Sequence, residues 1–60
     1  MITVAEEIAA VRREIRLRYQ VYPRRVATGR MTKQKADYEV AVMEAILDRL
    51  LCAEREERLL

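Results

Sequence analysis

A chain of 60 residues forms one domain at most. At this size only about 60% of the unfolded surface is buried, so stability has to come from staples, a metal or self-association. Cys52 is the single cysteine and there is no histidine, which excludes an internal disulfide and the four-ligand set of a structural zinc. Net charge is only +2 but unevenly placed: residues 1–31 set seven arginines against Glu6, Glu7 and Glu14, whereas residues 32–60 hold five basic and seven acidic groups.

With 52% hydrophobic residues, one Gly, one Pro and no Phe or Trp, the composition is that of an ordered helical protein and not of a disordered one. No apolar run approaches the roughly 18 residues of a membrane span. The first residues lack the basic-then-apolar layout of a signal peptide, and a lone thiol suits a reducing compartment. A cytoplasmic setting without membrane contact is therefore expected.

In chain order, Thr3 followed by Glu6 reads as a capping box, with the hydroxyl accepting from the Glu6 N–H and the carboxylate reaching back to the Thr3 N–H. Val4, Ile8, Val11 and Ile15 step by 4, 3 and 4, and Tyr19 and Tyr22 continue the same narrow seam. Pro23 cannot donate to the carbonyl four residues back and disfavours helical geometry at Tyr22. The first helix either kinks there and continues or ends near Tyr22, with a short helical turn over 23–28. The break is the expected outcome, because Thr28-Gly29 follows and glycine is a natural left-handed stop.

Thr32 is the next N-cap candidate. Ala36, Val40, Met43, Leu47 and Leu50 then step by 4, 3, 4 and 3, flanked by Val42, Ile46, Leu51 and Ala53. This apolar face spans about half the helix circumference. Asp37, Glu44, Asp48 and Arg55 hold the opposite side, and Glu54 and Arg58 extend the helix as an i,i+4 pair. The expected fold is all-α, an antiparallel two-helix hairpin with helices at about 3–22 and 32–57. A narrow seam cannot cover a half-circumference face. Val40, Val42, Met43, Ile46, Leu47 and Leu50 are accordingly expected to form a core shared with a second copy, a homodimeric four-helix bundle centred on the second helix.

Catalytic chemistry has little to build on. There is no His or Ser, and Gly29 stands alone, so no glycine-rich phosphate loop exists. Cys52 lies between Arg49 and Arg55 at i−3 and i+3 and reads as an inert small residue. Asp37, Glu44 and Asp48 read as a solvated acidic strip, not a metal site. No enzyme, cofactor or small-molecule substrate is expected. Binding remains.

Tyr22-Pro23-Arg24-Arg25 at the hairpin end, with Arg30, presents the two residue types that dominate interface hot spots, so Tyr22, Arg24, Arg25 and Arg30 form the candidate protein-binding patch. Alternatively, Arg12, Arg13, Arg16, Arg18, Arg24 and Arg25 track the phosphates of a nucleic acid, with tyrosines stacking. Against that, Tyr19 and Tyr22 fall on the seam, and Arg12 and Arg16 are placed to pair with the acidic strip of the second helix as a charge register.

The stretches Val11-Arg12-Arg13-Glu14-Ile15, Val21-Tyr22-Pro23-Arg24-Arg25, Gly29-Arg30-Met31-Thr32, Lys35-Ala36-Asp37 and Met43-Glu44-Ala45-Ile46-Leu47 together resemble small uncharacterised helical proteins encoded by temperate, often Mu-like, bacteriophages and prophages. The resemblance covers roughly residues 4–50. It carries over no catalytic or ligand residues. It implies a context in which small proteins act by binding: a non-enzymatic accessory that modulates a host or phage protein, for example by inhibiting a host regulator or defence system, in the host cytoplasm.

Overall fold

The computed structural model describes residues 1–59. Two helices, α1 (Val4–Ala27) and α2 (Lys33–Leu59), pack side by side as an antiparallel hairpin, with no strand among the described residues. The helices start where local chemistry starts them. Thr3 is the N-cap of α1, extended at φ −90°, ψ 160°, and its Oγ1 accepts from the Glu6 N–H at 3.1 Å. The reciprocal half of the expected capping box takes a different form: the Thr3 hydroxyl donates to Glu6 Oε1 at 3.3 Å. Thr32 caps α2 in the same way, accepting from the Lys35 N–H at 3.1 Å.

Helix α1 does not end at Tyr22. It runs through Pro23, which is an interior residue, to Ala27. A proline there forfeits one backbone hydrogen bond and costs about 3 kcal/mol in an unsupported helix. Two gains oppose that cost. The extra turn brings Val26 half-buried onto the hairpin. It also lets the helix close in a Schellman turn, with Gly29 N–H donating to Val26 O at 3.1 Å and Arg30 N–H to Arg25 O at 2.9 Å. Gly29 takes the left-handed position this closure needs, at φ 77°. Helix α2 runs to Leu59, two residues past the expected boundary, with Arg58 and Glu54 paired at 3.6 Å.

The core is thin. Among the described residues only Ile8, Ala36 and Val40 are buried, and Ile8 retains 5% of its surface. Val4, Val11, Ile15, Tyr22, Met31, Met43, Ile46, Leu47 and Leu50 are half-buried. One seam assignment fails: Tyr19 is 59% exposed. Val42, expected in a core shared with a second copy, is 37% exposed in the single chain. Tyr19 sits at the seam's edge, where one neighbouring helix does not reach over it. The body measures 48 × 18 × 14 Å, one helix pair thick.

The charge register expected between Arg12, Arg16 and the acidic strip is not made among the described residues. Helices α1 and α2 are joined instead by Arg18, whose Nη1 lies 3.6 Å from Glu39 Oε2 and donates to the Glu39 carbonyl at 3.3 Å. Glu14 supports Arg18 from the preceding turn at 3.7 Å, Lys35 holds Glu39 at 3.0 Å, and the Arg18 guanidinium lies 5.9 Å from the centre of the Tyr22 ring.

Candidate functional site

The hairpin end separates the expected contact patch into two surfaces. Arg24 and Arg25 lie in the last turn of α1, and the Schellman closure folds Arg30 back beside them. With Gln20, Val21 and Thr28 these three arginines line a recess of about 460 Å³ that contains no carboxylate. Their guanidinium groups have no ion-pair partner among the described residues. They are also not needed to cap the helix. The Arg24, Arg25 and Val26 carbonyls already accept from the Thr28, Arg30 and Gly29 N–H groups, and the Thr28 hydroxyl donates to Arg25 O at 3.3 Å.

Tyr22 belongs to the other surface. It lines a groove of about 540 Å³ with Tyr19, Pro23 and Val26 from α1, floored by Ala36 and Val40 of α2. Arg18, Lys33, Asp37 and Glu44 form its polar margin. Lys33 and Asp37 are paired at 2.8 Å, which leaves Glu44 as the margin's carboxylate without an ion-pair partner among the described residues.

The basic segment also divides. Arg12, Arg13, Arg16, Arg24 and Arg25 are exposed and unpaired among the described residues, whereas Arg18 is taken up by Glu14 and Glu39. At 100° per residue, Arg13, Gln20 and Arg24 fall on the side of α1 directed away from α2, with Arg12 and Arg16 on one flank of that line. On the other flank Leu17 and Val21 of α1 share a side of the hairpin with Val42, Ile46 and Ala53 of α2. Leu17, like Val42, is a large apolar side chain left in water. Of the expected shared core, Val40 is buried within one chain, and Met43, Ile46, Leu47 and Leu50 are half-buried.

Arg18 and Glu39 are the cross-helix pair that pattern reading overlooked. Each occupies a seam position, three residues after one apolar member and four before the next: Arg18 between Ile15 and Tyr22, Glu39 between Ala36 and Met43. A charged residue at such a position on each of two facing helices is a legible signal for a cross-helix pair.

Among the described residues no group of three His, Cys, Asp or Glu side chains is placed to hold a metal ion. No described helix is long and apolar enough to cross a membrane. Comparison with known proteins finds no matching family model, no matching curated protein and no matching solved structure.

Proposed function

We propose that this chain is a non-enzymatic binding protein that works as a homodimeric four-helix bundle in the cytoplasm and modulates a host or phage protein through its hairpin end. One observation carries the self-association. The hairpin exposes 5068 Å², whereas a folded monomer of its 7.1 kDa mass exposes about 4100 Å². The excess, about 1000 Å² per chain, is the scale that a standard interface removes from each partner, about 800 Å². Leu17, Val21, Val42, Ile46 and Ala53 gather on one side of the hairpin and supply the apolar part of that surface.

Binding is favoured over catalysis because the groove's paired amine and carboxylate, Lys33 and Asp37, form an exposed i,i+4 salt bridge at the margin, and no carboxylate lines the recess. The phage setting rests on the sequence resemblance. The experiment is co-purification from infected cells with tagged protein, in parallel with an R24A/R25A double variant of verified helicity. Loss of a captured partner in the variant supports the reading; unchanged capture with the fold intact sinks the hairpin end as the contact.

A second reading has its own observation. Five exposed arginines of α1, together with Arg30, carry no internal counter-ion among the described residues, which suits a nucleic-acid backbone. Labelled DNA or RNA titrated across a salt series separates the two. Tight binding that weakens steeply with salt supports nucleic-acid recognition, and no binding at low salt removes it.

A further inference from the structure

We infer that the recess lined by Arg24, Arg25 and Arg30 is a site for a phosphate monoester group. The inference goes beyond assembly and rests on the hairpin-end reading, naming the chemistry that its arginines recognise. Three like charges are brought to one concavity by backbone geometry: Arg24 and Arg25 are adjacent in α1, and the Arg30 N–H to Arg25 O bond of 2.9 Å fixes Arg30 next to them. No carboxylate lines the recess, and Gln20 and Thr28 are its uncharged polar members.

Arginines at a helix C-terminus ordinarily find employment on the last carbonyls. Here the backbone N–H groups of Thr28, Gly29 and Arg30 take the Arg24, Val26 and Arg25 carbonyls, so the guanidinium groups are not spent on these. Holding three cations together without an anion is repulsive, and a bound anion relieves it. The charge selects among anions. A carboxylate or a phosphodiester brings one negative charge, whereas a phosphate monoester brings close to two above its second pKa of about 6, with three acceptor oxygens for forked guanidinium donors. A recess of about 460 Å³ admits such a group with its ester substituent directed to solvent.

The test uses the full chain titrated with phenyl phosphate and inorganic phosphate, with acetate and dimethyl phosphate as singly charged controls at matched ionic strength. The readouts are calorimetry and the NMR signals of the arginine side-chain N–H groups. Phosphate monoesters are expected to shift the Arg24, Arg25 and Arg30 signals, to raise the melting temperature above that in the controls, and to bind more tightly at pH 7.5 than at pH 5. R30A and R24A are each expected to weaken binding about tenfold, and R49A, outside the recess, to leave it unchanged. A serine-phosphorylated peptide and a 5′-phosphorylated oligonucleotide, each against its dephosphorylated form, identify the source of the group. A gain on phosphorylation in either supports the site. Phenyl phosphate no better than acetate overturns the inference, as does equal binding of the two oligonucleotides without any response to phenyl phosphate, which assigns the arginines to a nucleic-acid backbone.

Discussion

Gly29 is the residue on which the connection turns. Nothing lies within 4 Å of a Cβ built there, so space does not demand glycine. The demand is the backbone angle of +77°. Gly29→Ala is therefore expected to cost about 1–2 kcal/mol through strain alone, read as a lower melting temperature with helicity retained. Pro23 works in the opposite sense. It sits inside a helix that runs on through it, at the lip of the Tyr19–Tyr22 groove. Replacing it by alanine restores a backbone donor and is expected to raise the melting temperature, with a gain of up to about 3 kcal/mol less the loss of proline's restriction of the unfolded chain. A lower melting temperature would mean that the proline ring contributes packing that outweighs the missing bond.

At the scale of the element, α1 and α2 differ in what secures them. Their starts are legible in the sequence because capping is local: Thr3 and Thr32 each satisfy a donor three residues on, whatever lies elsewhere. The end of α1 is not legible by the same rules. Proline's cost is local, and so is the closure around Gly29, but the burial of Val26 on the hairpin depends on a second helix that no window around residue 23 contains. The same division applies to the surfaces. The arginines of the recess are visible as a run, yet their separation from Tyr22 follows from the geometry of the turn. Arg18 shows how a charged residue is drawn into a seam. Its side chain is 24% exposed and spans both helices. Arg18→Ala removes the contacts to Glu14 and Glu39 and leaves Glu39 with Lys35 alone; a loss of about 1 kcal/mol is expected, measured by denaturant midpoint, and it should shrink at high salt.

The molecule as a whole is longer than its residue count requires. A radius of gyration of 14.2 Å compares with about 10 Å for a compact domain of 60 residues. Pairing two such bodies along their length yields a bundle of ordinary proportions, and folding is then coupled to concentration. The melting temperature is expected to rise with protein concentration, and light scattering at micromolar levels to give twice the chain mass. Ile46→Glu, which places a charge in the apolar side shared by Leu17, Val21 and Val42, is expected to abolish both effects. A monomeric mass for the unmodified chain would refute the dimer outright.

The short connection across Gly29 also sets an order of events. Arg18 and Glu39 are 21 residues apart, and contacts nearer the turn close smaller loops still. Helical proteins dominated by such near contacts fold in microseconds to milliseconds. Loop closure becomes only gradually more costly outward, by about 0.6 kcal/mol for each doubling of length. The hairpin is thus expected to zip from Gly29 toward Val4, with its tyrosine groove and arginine recess complete while the far end is still open. The two surfaces of the hairpin end are thus expected to form first. The stretch from Met43 onward is expected to complete its burial last, and in the proposed dimer only when a second chain docks.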